Sequence, residues 1–441
     1  MQRMNTFEII GGKPLFGSVR IGGAKNASYK LMLAALLAQE PSRILNFSHI
    51  QDVATVGEII ISLGGTVKAV GERALVIDPR NLRSFELATT VGEQGRFSSM
   101  FIAPLLARFG QAIVPLPGGD KIGKRPLDWH FDGLRALGAE ITLRDGVFFA
   151  HTNKLVGAKY RFHKNTHTGT ETVLLAAVLA EGNTRLENAA EEPEIDDLIN
   201  FLVAMGAQIS RPAPRVIEIT GVKKLAGAIH KLMPDRNEAV SYACAAIATK
   251  GDIIIENANV NHLSAFLEQL TASGAGFEIG QYGMRFFYKG PLTATNVVTA
   301  QAPGFMTDWQ PLWATLMTQA VGRSTIHETI HEDRFQFVKE LQMMGAAIST
   351  FQPNVVDPES FYNFNYTQSN QQIPHAISIT GPALLRAGEF SVKDLRHGAT
   401  LVIAALIATG TSKISNIEHI DRGYESLDER LRSLGAEIVR T

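Results

Sequence analysis

A short glycine-rich stretch, residues 117–126, concentrates charged side chains that could do chemistry. Lys121, Lys124 and Arg125 lie within five residues, beside the carboxylate of Asp120. Glycines let backbone amides approach a ligand closely. The letters nearly follow a phosphate-binding P-loop, but Arg125 replaces the magnesium-binding Ser or Thr. The stretch predicts a loop that clamps an anion and offers a carboxyl group for proton transfer; the alternative is a solvated basic turn.

Charged or polar residues also stand where stretches rich in Ala and Leu begin. Such stretches are typical of helices buried on every side. A helix N-terminus carries partial positive charge and unpaired amides, so a cation there is destabilising unless an anion binds. We therefore expect two domains that close on a ligand with several negative charges, the alternative being charges that point to solvent. The six positions are Lys25, Arg96, Thr168, Arg236, Asp308 and Arg396, and Arg125, Arg334 and Arg422 add further cations.

A repeat of about 70 residues organises these positions. Each unit contains a buried helix, a strand, an amphipathic outer helix, a Gly-Ala or Gly-Gly step that ends this helix, and another strand. Six units predict two domains of three repeats, divided near residue 230. An insert at residues 353–374, rich in Asn, Gln, Phe and Tyr, predicts a surface loop whose aromatic side chains could contact a ligand. The six steps begin at Gly64, Gly138, Gly206, Gly274, Gly345 and Gly435.

Composition limits the function classes. A chain of 441 residues predicts two or three domains. The chain has 42 Lys and Arg against 43 Asp and Glu, which argues against nucleic-acid binding through bulk charge. Its single cysteine, Cys244, excludes a disulfide within the chain. Apolar runs of about eight residues are too short to span a membrane, and the N-terminus lacks a signal-peptide core, so we expect a cytoplasmic protein.

Residues 327–331 spell the zinc-protease pattern His-Glu-x-x-His. That pattern needs a helix, on which the two histidines share a face. Here it follows Gly322 in a strand position of the repeat, and on a strand His327 and His331 would lie about 13 Å apart. We therefore expect no zinc site. The sequence also lacks a nucleophile elbow and a dinucleotide fingerprint.

Several short motifs stand in order along the chain, from residue 7 to its end, with the insert as the main unmatched part. They are Gly23-Ala24-Lys25-Asn26, Pro117-Gly118-Gly119, Ile122-Gly123, Arg125-Pro126, Asn188-Ala189-Ala190, Glu192-Pro193-Glu194-Ile195, Pro234-Asp235-Arg236, Thr307-Asp308, Asp394-Leu395-Arg396 and His419-Ile420-Asp421-Arg422-Gly423-Tyr424-Glu425. Together they resemble the enolpyruvyl transferases, in particular the branch that acts on UDP-N-acetylglucosamine in peptidoglycan synthesis.

The resemblance implies an α/β fold of two inside-out α/β barrel domains, each of three repeats. Residues 23–230 would form the first domain, which carries the 117–126 loop. Residues 231–441 would form the second domain together with residues 1–22, whose hairpin then finds a partner.

The resemblance also implies the reaction: transfer of the enolpyruvyl group of phosphoenolpyruvate to the 3′-hydroxyl of UDP-N-acetylglucosamine, with release of phosphate, by addition and elimination. Asp308 would be the base, and Asp120 and Lys25 would supply protons. No metal or redox cofactor is expected, because the cations supply the charge. The implied phosphoenolpyruvate ligands are Lys25, Asn26, Arg125, Arg396 and Arg422. The implied sugar-nucleotide ligands are Arg96, Arg125, Pro126, Leu127, Asp128, Trp129, Lys164, Asn165, Thr166, His167, Asp308, Ile330 and Arg334.

The chain departs from the family pattern in three places. Asp120 replaces the usual loop cysteine, residues 164–168 differ from the common Ser-Val-Gly-Ala-Thr, and His331 replaces an aromatic residue. Fosfomycin inactivates the family by alkylating that cysteine, and a carboxylate is a weaker nucleophile, so insensitivity is expected. Two alternatives remain open: a transferase for another nucleotide or a shikimate-type acceptor, and an inactive paralogue that binds sugar nucleotides.

Overall fold

The computed structural model describes residues 5–118, 123–124 and 126–441, without the side chains of residues 93 and 94. Asp120, Lys121 and Arg125 therefore lie outside the described residues. The helices are α1 (Lys25–Ala35), α2 (Gln51–Ser62), α3 (Phe97–Met100), α4 (Ile102–Phe109), α5 (Asp128–Ala136), α6 (His167–Ala177), α7 (Pro193–Ala204), α8 (Arg236–Ala248), α9 (Ser264–Ala272), α10 (Gln310–Met317), α11 (Val338–Met343), α12 (Pro358–Phe361), α13 (Leu395–Ile407), α14 (Glu418–Asp421) and α15 (Leu427–Ser433).

The strands are β1 (Thr6–Ile10), β2 (Phe16–Arg20), β3 (Ser42–Leu45), β4 (Thr66–Ala69), β5 (Ala74–Asp78), β6 (Gln111–Pro115), β7 (Glu140–Arg144), β8 (Val147–His151), β9 (Lys159–Arg161), β10 (Asn183–Glu187), β11 (Gln208–Ala213), β12 (Val216–Thr220), β13 (Ile229–Lys231), β14 (Asp252–Glu256), β15 (Gly276–Gly280), β16 (Gly283–Phe287), β17 (Val297–Val298), β18 (Gly322–His327), β19 (Ala347–Phe351), β20 (Ala376–Gly381), β21 (Glu389–Ser391), β22 (Thr411–Ser415) and β23 (Glu437–Arg440).

The described residues divide into two compact units. The amino-terminal unit comprises residues 23–118 and 126–233, and the carboxy-terminal unit comprises residues 5–22, 123–124 and 234–441. The chain passes between them after Gly22 and after Met233.

The amino-terminal unit is built around buried helices. In α1 and α6 every residue from the third onward is buried, and most of these residues are small or aliphatic. The sheets of this unit have the strand orders β13-β3-β5-β4, β6-β8-β7 and β11-β12-β10-β9. The amphipathic helices α2, α5 and α7 lie in the positions predicted for outer helices.

The carboxy-terminal unit repeats this plan around α8, α10 and α13, each of which is almost wholly buried. Its sheets have the orders β15-β16-β14-β2, β17-β18-β20-β19 and β21-β22-β1-β23. The amino-terminal segment belongs here, since β1 pairs with β22 and β23 and β2 pairs with β14. The prediction that this segment is a hairpin was wrong, because β1 and β2 lie in different sheets of the unit. Two inside-out α/β units of three repeats are thus confirmed.

The repeat is richer than the sequence predicted. A short strand precedes the buried helix, and a hairpin follows the Gly-Ala step, as in β9, α6, β10, α7, β11 and β12. The edge strand β9 pairs in parallel with β10, and β12 pairs antiparallel with β10 and β11. Strands of three residues are too short to show alternation, and this hairpin turns at Arg215, with φ 57°, without a glycine. The sequence pattern therefore predicted neither the short edge strand nor the hairpin.

Most of the insert lies at the surface, as predicted, but part of it packs against itself. It contains α12 and a 3₁₀ turn at Gln368–Gln372, and Tyr362 and Phe364 are buried. Tyr362 stacks on Phe364 at 4.9 Å and on Tyr366 at 5.3 Å, between ring centroids. The aromatic residues of the insert therefore build a small core of their own.

Two local predictions also change. The third buried helix begins at His167 rather than Thr168. The strand assigned to the zinc-like pattern ends at His327, and residues 328–331 follow it outside regular structure, so the pattern is not helical. Across the described part of the chain, no helix combines the length and apolar character needed to span a bilayer.

Candidate active site

The carboxylate of Asp308 lies between two buried arginines in the carboxy-terminal unit. Arg334 Nη2 donates to Asp308 Oδ1 at 3.0 Å, and Arg396 Nη2 donates to Oδ2 at 3.0 Å. The Asp308 side chain keeps 22% of its exposure, whereas those of Arg334 and Arg396 keep 4% and 5%. The carboxylate is thus the accessible member of a buried cluster.

The ends of two buried helices place this cluster. Asp308 lies two residues before α10, and Arg396 is the second residue of α13. Asp394 caps α13, since its Oδ1 accepts the amides of Arg396 and His397 at 2.9 Å each. The capping carboxylate helps offset the cost of a cation at this helix start.

The arginines control the protonation of Asp308. Burial raises the pKa of the carboxyl group, but Arg396 and Arg334 outweigh it and hold that pKa well below its usual value, with His331 acting in the same direction. Asp308 is therefore ionised at neutral pH.

Tyr424 fixes the other side of Arg396. Arg396 Nη1 donates to the Tyr424 hydroxyl at 2.9 Å, and this hydroxyl lies 2.7 Å from Ser241 Oγ. Arg422, the predicted clamp residue, comes directly after α14 and two residues before Tyr424, and it is half-buried. Ile330, also half-buried, lies in a turn in which its amide donates to Glu328 Oε1 at 2.8 Å.

The described end of the 117–126 loop is anchored at Glu332, two residues after Ile330. The amide of Lys124 donates to Glu332 Oε2 at 2.5 Å. Gly123 has φ 130°, and a Cβ there would lie 2.7 Å from the same oxygen, so glycine is required. Asp120 and Arg125, predicted as acid and clamp, lie outside the described residues.

In the amino-terminal unit, Lys25 is the first residue of α1, and its Nζ lies 2.9 Å from Asp52 Oδ2. Their side chains keep 13% and 5% of their exposure. The turn before α1 is tight, because a Cβ at Gly23 would overlap the carbonyl oxygen of Asn46. The predicted donor-side ligand Asn26 follows Lys25 and is half-buried.

The predicted nucleotide ligands lie at two other helix starts of this unit. Arg96 is the half-buried N-cap of α3. Residues 126–129 lead into α5, whose N-cap is Leu127 and whose first residue is the exposed Asp128, after the half-buried Pro126. Trp129 packs against the core of the unit, and its carbonyl accepts the Tyr160 hydroxyl at 3.0 Å.

The segment 164–167 leads into α6. Lys164 is half-buried, and Thr166 caps the helix by accepting the Gly169 amide at 3.2 Å. The Asn165 side-chain amide donates to the backbone carbonyls of Asn188 and Ala189, at 3.1 and 3.0 Å. His167 turns toward Glu171, with Nε2 3.2 Å from Oε1.

Sequence reasoning missed two partners of site residues, Asp52 and the Tyr424 hydroxyl. Asp52 lies in the first turn of α2, where acids are common, so its type carried no functional signal. Tyr424 stood inside a recognised motif but had no assigned role. Only the packing of separate helices shows which cation each of them holds.

Comparisons with known proteins agree with this geometry. Residues 9–431 match the sequence model of the EPSP synthase (3-phosphoshikimate 1-carboxyvinyltransferase) family. The chain is 40% identical to UDP-N-acetylglucosamine 1-carboxyvinyltransferase 3 of Caldanaerobacter subterraneus, with 99% of each chain covered. It is also 40% identical to UDP-N-acetylglucosamine 1-carboxyvinyltransferase of Koribacter versatilis, covering 99% of this chain and 96% of that one.

The solved structure of the enolpyruvyl transferase NikO from Streptomyces tendae has the same fold. Its TM-score is 0.86 at 24% identity, with 99% of each chain covered. The six repeats, the carboxylate between two arginines and the full-length likeness together place the chain in the enolpyruvyl transferase family, among the UDP-N-acetylglucosamine 1-carboxyvinyltransferases.

Proposed function

We propose that this enzyme transfers the enolpyruvyl group of phosphoenolpyruvate to the 3′-hydroxyl of UDP-N-acetylglucosamine and releases phosphate. The acceptor is the one named for relatives that are 40% identical along nearly the whole chain. The observation that carries the proposal is the ionised, accessible carboxylate of Asp308 between two buried guanidinium groups. In the cell this reaction would be the first committed step of peptidoglycan synthesis, in the cytoplasm.

In the addition step, Asp308 accepts the proton of the acceptor hydroxyl while the hydroxyl oxygen bonds to C2 of phosphoenolpyruvate. A proton is added to the C3 methylene carbon, which gives a tetrahedral phosphoketal. In the elimination step, C3 loses a proton and the C2–O bond to phosphate breaks. Asp120 and Lys25 are the proposed proton donors, and Lys25, Asn26, Arg125, Arg396 and Arg422 are the proposed donor-substrate ligands.

The two arginines make Asp308 a weak base before substrates bind, because both stabilise its ionised form. An anionic group of phosphoenolpyruvate that engages Arg396 would draw this guanidinium away from Asp308 and raise the pKa of the carboxyl group. Donor binding would in this way activate the base.

Lys25, like Asp308, is held by an oppositely charged side chain. Asp52 holds its ammonium group at 2.9 Å and keeps it at the start of α1. The partial positive charge at the N-terminus of α1 and this ammonium group together suit a phosphate or carboxylate oxygen. Asp52 is therefore a proposed positioning residue.

Asp120 in place of a cysteine supports a second element of the proposal, insensitivity to fosfomycin. A carboxylate is a weaker nucleophile than a thiolate, so it would not be alkylated at the same rate. The only cysteine, Cys244, is buried on α8, and burial raises the pKa of its thiol.

The test is phosphate release from phosphoenolpyruvate with a panel of acceptors: UDP-N-acetylglucosamine, UDP-glucose, another nucleotide sugar and shikimate 3-phosphate. We expect turnover with UDP-N-acetylglucosamine. Turnover with only another acceptor would overturn the proposed specificity. Binding of UDP-N-acetylglucosamine without any release would favour the inactive paralogue.

A further inference from the structure

A cluster of buried charges lies inside the amino-terminal unit, between α1 and α6. Lys30 Nζ lies 3.0 Å from Glu171 Oε2, and His167 Nε2 lies 3.2 Å from Glu171 Oε1. Lys30 Nζ also donates to the carbonyl oxygen of Asn26. The side chains of Lys30 and Glu171 keep 1% and 0% of their exposure. One carboxylate thus lies beside an ammonium group and an imidazole ring.

Such a cluster is a poor source of stability. Moving two charges out of water costs several kcal/mol per ion, and apolar residues of similar volume usually stabilise a protein at least as well. Leu31 on α1 and Leu174 on α6 are fully buried, so both helices readily bury aliphatic side chains. The charges therefore need another explanation.

His167, the partly exposed member of the cluster, supplies that explanation. The His167 side chain keeps 22% of its exposure and is the first residue of α6. It lies 71 residues after Arg96, which in turn lies 71 residues after Lys25, and Arg236 follows 69 residues later. Each begins or caps a buried helix. His167 thus occupies in its repeat the position that a permanent cation holds in the neighbouring repeats.

The surroundings favour a charged imidazole. Burial alone would lower the pKa of His167, and Lys30 acts in the same direction, but Glu171 outweighs both and raises it, with help from Glu192. Burial lowers the pKa of Lys30, but Glu171 outweighs burial and raises that pKa, with a smaller contribution from Glu194 on α7. From α5, His130 reaches α6 through Thr168 Oγ1 at 2.7 Å.

We propose that Glu171, balanced by Lys30, is a positioning residue that holds His167 as an imidazolium, and that this cation binds the diphosphate of the acceptor nucleotide. The inference rests on the proposed function, because the diphosphate is the anionic group of UDP-N-acetylglucosamine. A cation at a helix start is costly unless an anion binds beside it. Because His167 binds the anion only when protonated, acceptor affinity is highest at low pH and falls as pH rises through the raised pKa of His167.

The test combines calorimetric titration of UDP-N-acetylglucosamine between pH 5.5 and 9 with proton NMR of ¹³C-labelled histidines. The diphosphate diester does not titrate in this range, so a change in affinity reports on the protein. We expect about tenfold weaker binding above the titration than below it, the size of one charge-assisted hydrogen bond. His167→Gln should bind with the weaker affinity at every pH, while the exposed His151→Gln should behave as wild type.

The double variant Lys30→Met/Glu171→Leu removes the charge pair and keeps an apolar fill between the helices. It should unfold no more easily than wild type, while the NMR and affinity midpoints of His167 move together to lower pH. Unchanged midpoints in this variant, or an unaltered pH profile in His167→Gln, would overturn the inference. The NMR midpoint needs no ligand, so it stands even if phosphate release shows that the proposed acceptor is wrong.

Discussion

Asp308→Asn is the most informative substitution, because it keeps the shape of the side chain and removes its charge. An amide cannot accept the hydroxyl proton, and general-base catalysis contributes about 10²–10⁴-fold, so kcat should fall by this factor. Removing one partner of a buried ion pair costs about 3–5 kcal/mol. The 22% exposure of the Asp308 side chain and the remaining acceptor oxygen place the expected loss near the lower end, about 3 kcal/mol.

That loss leaves the protein folded at 25 °C, since domains are usually stable by about 5–15 kcal/mol. The loss of turnover can therefore be measured on folded enzyme. The assay is steady-state phosphate release, with denaturant unfolding of the same samples. We expect KM for UDP-N-acetylglucosamine to change much less than kcat, because the lost step is chemical.

The matched control is Asp196→Asn, which removes the same charge from another pair with arginine. Asp196 Oδ1 lies 2.6 Å from Arg211 Nε, and its side chain is 53% exposed. Exposed pairs contribute about 0–1 kcal/mol, so this variant should keep both its stability and its turnover. A fall in kcat of less than about tenfold in Asp308→Asn would show that another group is the base.

The other predictions concern neighbouring features. Tyr424→Phe removes the hydroxyl that accepts from Arg396, so KM for phosphoenolpyruvate should rise about tenfold, the size of one hydrogen bond to a charged group, while the exposed Tyr282→Phe should not change it in the same kinetics. Asp120→Cys should keep activity and become sensitive to fosfomycin, whereas Asp120→Asn should be nearly inactive; an active Asp120→Asn enzyme would contradict the acid role. Burial, reinforced by His375, lowers the pKa of His327 to about 4, so stability should fall as pH drops from about 6.5 to 4. His327→Gln should lose less stability over that range in denaturant unfolding, and an equal loss would assign the effect to other groups.

The repeat was readable from the sequence because it rests on local chemistry. Helices buried on all sides need Ala and Leu on every face, and helices that end before a strand use glycine at the C-cap, as at Gly206, with φ 104°. The short edge strands were not readable, since two or three residues show no alternation. Their position depends on a neighbouring strand such as β10, which lies some 20 residues further along the chain.

The insert shows the same limit. Its polar composition favoured a surface loop, yet Tyr362 and Phe364 are buried. His375, which lies just beyond the insert, lies 4.9 Å from Tyr362 between ring centroids. A few aromatic residues can form a core when a turn brings them together, and composition does not record that turn.

The sequence by itself determined the repeats, the cations at the helix starts and the family, because each depends on residue types at fixed spacing. Tertiary structure alone decided how these charges are paired. Asp308 meets Arg334 and Arg396, and Lys30 meets Glu171, across gaps of 26, 88 and 141 residues. Coulomb energy depends on distance and on burial, and neither is written in the order of the chain.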